Sequence, residues 1–148
     1  MSAVWRCNLV KTIRQSLGKA GEQLAAEKLI SLGYGIVTRN YRCTAGEIDI
    51  VARHKQVWVF VEVRTRRGTK FGTPEDSITA RKQAHMIAAA EFYLDANNLS
   101  MLPWRLDLVA VEFSTQGQLL RLDVIPDAVS ANQIRCTTHE LRKGNSAA

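Results

Sequence analysis

The sequence predicts a single α/β domain, a β-sheet with helices packed against it, and three observations predict that class. Two segments, about residues 16–32 and 74–96, carry apolar residues at helical spacing and finish at helix-stop signals. Between them lie three strand-like runs joined by tight turns, the pattern of an antiparallel meander. Two further strand-like runs follow the second helix, so the order is helix, three strands, helix, two strands. At 148 residues the chain fits one hydrophobic core rather than two.

Residues 1–14 carry Arg6, Lys11 and Arg14 and no acid, and are expected to form a mobile basic arm ahead of a domain spanning 15–126. The first helix is expected over about Ser16–Leu32, with Leu17, Ala20, Leu24 and Leu32 on its apolar side and Gly33 as a left-handed stop. Tyr34–Tyr41 is a short strand. Thr44-Ala45-Gly46 then turns the chain into a second strand, in which Ile48 and Ile50 alternate with Glu47 and Asp49. His54-Lys55-Gln56 makes the next turn. The third strand, from Val57, begins as an unbroken apolar run to Val61, as expected of a strand covered on both faces, and then alternates charge from Glu62.

Residues 64–72 are expected to be a basic loop, with Arg64, Arg66, Arg67 and Lys70 and no acid. Thr73-Pro74-Glu75-Asp76 carries the signals of a helix start: Thr as cap, Pro in the first position and Asp three residues after the cap. That helix is expected to run to about Ala96, with Ile78, Ile87, Ala90 and Leu94 inward and Asn97-Asn98 as its end. After Pro103, two strands flank a Gln116-Gly117 turn, and residues 127–148 are expected to be a loosely held tail.

Twenty Lys and Arg against 14 Asp and Glu give a net charge of +6 and a pI near 9.5. A basic surface attracts polyanions, because each neutralised phosphate releases counterions, but it also serves simple solubility. Cys7, Cys43 and Cys136 are odd in number, widely spaced and without a C-x-x-C pair, which argues against a disulfide framework or a cysteine zinc site. No apolar run is long enough to span a bilayer, so the expectation is a cytosolic protein.

The residues that can carry chemistry lie on the second and third strands. Mg²⁺ takes oxygen ligands and commonly one or two carboxylates, filling its shell with water and substrate phosphate. If the hairpin turns near Lys55, Asp49 and Glu62 come side by side on one face, and the Val63 carbonyl can add a third oxygen. Two bare carboxylates so close repel one another, and a cation removes the conflict. The plainer alternative is a wetted Asp49 and a Glu62–Arg64 ion pair worth about 0–1 kcal/mol. Likewise His85 reads as a helix-surface histidine, and Trp58, Trp104 and Tyr93 read as core residues before they read as base-stacking platforms.

Taken in order, Gly21-Glu22, GEIDIVA (Gly46–Ala52), VFVEVRTR (Val59–Arg66) and Arg105-x-Asp107-x-Val109-Ala110 resemble the YraN-like family of bacterial proteins, over about residues 17–125. That family is similar to a branch of the PD-(D/E)xK nuclease superfamily, which includes Holliday-junction resolvases and restriction enzymes. The resemblance implies a restriction-endonuclease-like fold, an α-β-β-β-α-β core with a mixed central sheet flanked by helices. It implies a Mg²⁺- or Mn²⁺-dependent endonuclease hydrolysing phosphodiester bonds in DNA, with branched or flap structures as candidate substrates.

By the same resemblance Asp49 and Glu62 are the metal-binding acids, Arg64 stands in the superfamily's lysine position, and Glu22 is an auxiliary acid. Lys82, Arg81 and Gln83 are candidates for the supporting polar residue on the second helix, and Arg66, Arg67, Lys70, Arg81 and Lys82 for contacts to nucleic acid. Arginine stays protonated at any working pH and cannot act as a general base, so Arg64 marks a departure from the pattern. A nucleic-acid-binding module that does not cut, and a protein-interaction scaffold with a relic metal site, therefore stay open. A homodimer is the analogous expectation, since cutting a symmetric junction takes two sites.

Overall fold

The computed structural model describes residues 3–129, with side chains from Ile13 onward. The elements are α1 (Ala3–Ser31), β1 (Gly35–Cys43), β2 (Gly46–His54), β3 (Val57–Arg67), a 3₁₀ turn (Glu75–Ser77), α2 (Ala80–Ala96), β4 (Trp104–Phe113) and β5 (Leu119–Val129). The five strands form one mixed sheet in the order β1-β2-β3-β4-β5. β1–β2, β2–β3 and β4–β5 are antiparallel, while β3–β4 is parallel and is joined through α2. This is the predicted mixed sheet flanked by helices, consistent with a restriction-endonuclease-like core.

Each face of the sheet has its own core. Ala25, Ala26 and Leu29 of α1 pack on Ile50, Val59, Val61 and Val109. Met86, Ala90 and Leu94 of α2 pack on Val51, Phe60 and Leu106 of the opposite face. The unbroken apolar start of β3 follows from this double cover, because successive strand residues feed alternate cores.

Several boundaries differ from expectation. α1 begins at Ala3, so most of residues 1–14, read as an arm, are helical. Its buried face runs through Gly21, Ala25, Ala26 and Leu29, whereas Ala20 and Leu32 are exposed. The helix ends as predicted at Gly33 (φ 89°), where Gly33 N–H donates to Ile30 O and Tyr34 N–H to Leu29 O, each at 3.0 Å. At the other end β5 pairs as far as Val129, which is buried opposite Leu106, so the domain includes residues 127–129. The rest of the tail read as loosely held, residues 130–148 with Cys136, lies outside the described residues, as do the side chains of Arg6, Cys7 and Lys11.

The segment read as a basic loop is partly strand: Arg64–Arg67 continue β3 and pair with Ala110–Phe113 of β4. The expected helix from Thr73 to Ala96 is broken in two. Thr73 and Asp76 form the predicted reciprocal pair, Thr73 N–H to Asp76 Oδ2 at 2.9 Å and Asp76 N–H to Thr73 Oγ1 at 3.4 Å, but they close only a 3₁₀ turn. Thr79, extended at ψ 161°, restarts the chain by accepting from Lys82 N–H at 3.2 Å. Two capping residues six positions apart compete for one helix, and the second is the one that starts α2.

Candidate metal and phosphate site

The β2–β3 hairpin turns through Lys55 (φ 50°) and Gln56 (φ 69°), and this left-handed pair sets the register. Pairing runs from His54↔Val57 to Ile50↔Val61, and the next step of the same register sets Asp49 opposite Glu62. The paired ladder stops just there. In place of a backbone acceptor, the Asp49 carboxylate takes the Val63 N–H at 2.7 Å. N–H and C=O of one strand residue point the same way, so the Val63 carbonyl also faces the β2 side.

The strand alternation breaks at this position. Ile50 packs under α1 while Ile48 packs under α2, where strict alternation would give them one face. On β1, Arg39↔Ile50 and Tyr41↔Ile48 set Asn40 opposite Asp49, and Asn40 is left-handed at φ 52°. The distortion opens the sheet around Asp49 and brings Glu22 of α1 within reach of its charge.

Among the described residues two charged side chains lie in the core, Glu62 (5% exposed) and Asp107 (0% exposed). Their surroundings differ. Asp107 is matched by Arg105 Nε at 2.9 Å, Tyr34 OH at 3.1 Å and Asp127 N–H at 2.9 Å. Glu62 meets two cations, Lys82 Nζ at 3.1 Å and Arg64 at 3.3 Å, both on Oε1, but it also faces the Asp49 carboxylate. Burial, and then the charge of Asp49, push the Glu62 carboxyl up to about 7 against the pull of Lys82 and Arg64. Burial also raises Asp49, opposed by the Val63 N–H and by Lys82, and raises Glu22, which feels Asp49 as well and is eased by Arg39 and Asn40. The raised Glu62 and Asp49 carboxyls, with the raised Glu22 beyond them, mark a candidate site.

Of the residues predicted for the site, Asp49, Glu62, Val63 and Arg64 come together. Lys82 joins them as an ion-pair partner of Glu62, while Arg81 is exposed on α2 and Gln83 turns back to the Ile78 carbonyl at 3.5 Å. Glu22 stands near Asp49, but among the described residues no three His, Cys, Asp or Glu side chains close on one point, so it lies outside the inner pair. His85 is exposed, Trp58 and Tyr93 are buried, and Trp104 is packed against their core. Arg67 donates to the Thr115 carbonyl at 3.0 Å and Lys70 lies 5.9 Å from the Phe71 ring. Asn40 was not singled out in the sequence, although asparagine adopts a left-handed backbone more readily than most non-glycine residues.

Asp49, Glu62 and the Val63 carbonyl offer two carboxylates and one neutral oxygen, a donor set that fits Mg²⁺ or Mn²⁺. Among the described residues the Nε–H groups of Arg64 and Arg66, like the Trp58 indole N–H, are buried without a hydrogen-bond partner. No helix among the described residues is long and apolar enough to cross a membrane, and Cys43 is a free thiol.

Fold and site together define an α/β domain with a restriction-endonuclease-like core and an acid pair, Glu62 buried and Asp49 half-buried, at the splayed end of a β-hairpin. Comparison with known proteins gives the family: the profile of the uncharacterised protein family UPF0102 matches residues 21–111, and the chain belongs to that family. A UPF0102 protein of Roseiflexus castenholzii is similar at 48% identity over 117 residues, covering 78% of this chain and 94% of the relative. Relatives from Dehalococcoides mccartyi (43% over 116 residues, 78% and 94% covered) and Symbiobacterium thermophilum (45% over 115 residues, 78% and 97%) bear the same family description.

Proposed function

We propose that this protein is a divalent-metal-dependent phosphodiesterase acting on DNA. The observation that carries the reading is the register that sets the half-buried Asp49 opposite the buried Glu62, with both carboxyls raised. Asp49, Glu62 and the Val63 carbonyl would hold Mg²⁺ or Mn²⁺, which when bound polarises phosphate and lowers the pKa of water.

The residues of the chain do the rest. The Val63 N–H fixes one Asp49 oxygen and so orients the other. Lys82 holds Glu62 and limits its protonation near neutral pH. Arg64, always charged, stabilises the extra negative charge that develops on a phosphorus centre under attack. Glu22, the outer acid whose carboxyl is raised by burial and by Asp49, would serve as a proton acceptor.

One observation favours a second reading, a module that binds nucleic acid without cutting it: Lys82 and Arg64 already neutralise Glu62 from within. Calorimetric titration with Mg²⁺ and Mn²⁺, on wild type and Glu62→Ala, separates the two. Metal-dependent heat in wild type that vanishes in the variant supports the enzyme, and its absence in wild type overturns it. Cleavage of duplex, single-stranded, flap and four-way DNA then reads out the activity.

A further inference from the structure

A groove of about 830 Å³ lies between α1 and the far end of β3. Its floor is Ile13 and Leu17, its charged lining is Arg14, Arg66 and Arg67, and Phe71 stands at its edge. No acid lines it. Phe71 is 72% exposed, unusual for an aromatic ring in a cationic loop.

The groove and the site share two elements, α1 and β3. Along α1, Gly18 lies one turn, about 6 Å, from Glu22. Along β3, Arg66 follows Glu62 by four residues, about 13 Å. A strand of phosphates lying in the groove meets the three arginines. An apolar floor with an exposed ring adds what a base needs and a duplex backbone does not, a surface to stack on.

We infer that this groove holds an unpaired nucleic-acid strand, with Phe71 stacking on a base and Arg14, Arg66 and Arg67 tracking the phosphates. The inference rests on the phosphodiesterase reading for its alignment with the acids, and it narrows the substrate class to nucleic acid with a single-stranded segment. Its test measures binding alone.

Fluorescence anisotropy at low salt, with the full chain and EDTA, compares a labelled oligothymidylate with a duplex of equal length. The single strand is expected to bind more tightly. Phe71→Ala, at an exposed position that leaves the core intact, is expected to weaken it about five- to a hundred-fold and to leave the duplex unaffected. Arg66→Ala is expected to weaken both probes and to reduce the salt dependence. The inference is overturned if neither probe binds, if Phe71→Ala changes nothing, or if Phe71→Ala weakens both probes equally. It is overturned too if a polyglutamate peptide competes as well as the oligonucleotide, for the groove would then read charge alone. Strand binding lost with Phe71→Ala, in a protein that gives no metal-dependent heat, would retain the groove and remove the enzyme. Metal-dependent cleavage unaffected by Phe71→Ala would do the reverse.

Discussion

The Asp49 carboxylate accepts the Val63 backbone N–H at 2.7 Å, at the step where the β2–β3 ladder ends. One side-chain oxygen thus replaces a ladder carbonyl and is held in place by the sheet. Asp49→Asn keeps an oxygen acceptor, whereas Asp49→Ala leaves a part-buried N–H without one. In urea denaturation of metal-free protein, the alanine variant is expected to be less stable than the asparagine variant by about 1–3 kcal/mol. Equal stabilities would show that the bond has no structural weight.

Glu62 makes stability depend on pH in an unusual direction. Its folded pKa of about 7 lies above the ordinary 4.5, so the folded state holds its proton more tightly than the unfolded state does. The contribution is full below about pH 4.5 and is lost as pH rises through 7, on the order of 3 kcal/mol in all. Glu75 and Asp76, whose pKa values are lowered, act in the opposite sense in acid, so the comparison is between wild type and Glu62→Gln. Thermal melts from pH 4.5 to 8 are expected to fall relative to that variant, and Mg²⁺ is expected to flatten the difference. Lys82→Met should raise the Glu62 pKa further, followed by carboxyl carbon NMR. A Glu62 that titrates in the ordinary carboxylate range would refute this account.

Gly21 lets α1 approach β3. A Cβ there would lie 2.1 Å from Thr65 Oγ1, and the Thr65 Cβ at 3.2 Å and Cγ2 at 3.3 Å leave it little room to turn away. Gly21→Ala is expected to destabilise by about 1–3 kcal/mol through overpacking. Thr65→Ala in the same chain should recover part of that loss, which a double-mutant cycle measures as coupling. Additive effects would mean that the helix shifts freely instead.

Asp107 should matter to stability and not to metal binding. Its fully buried carboxylate joins Arg105, Tyr34 and the left-handed Asp127 (φ 51°), where β5 slips against β4 between Leu106 and Leu108. Asp107→Ala strands the Arg105 charge and the bulge N–H, at a cost of about 3–5 kcal/mol. Calorimetry on the folded fraction is expected to give the wild-type metal affinity. A stable variant that loses metal would place Asp107 in the site.

The candidate site was only partly legible in the sequence. Asp49, Glu62 and Arg64 stood out because carboxylates and a guanidinium interrupt valine-rich strands, and the two-residue turn fixed which acids meet. Lys82 was one of three polar neighbours on α2, and nothing local separates it from Arg81 and Gln83. Its choice follows from how α2 rotates against the sheet, which depends on the Thr79 cap and on Met86, Ala90 and Leu94 seating below. The split at Ile78-Thr79 was hidden for a similar reason, since Thr73 and Thr79 carry equivalent capping signals and only packing chooses between them.

By itself the amino-acid order determined the element types, the antiparallel meander and the double-sided cover of β3, because hydrophobic period and turn chemistry are local properties. Only the folded chain decided that the sheet splays at Asp49, that Ile48 and Ile50 go to opposite cores, and that Asn40 bends to meet Glu22. Those outcomes arise where two cores compete for neighbouring residues of one strand, and such a competition is settled by distant partners that no local pattern contains.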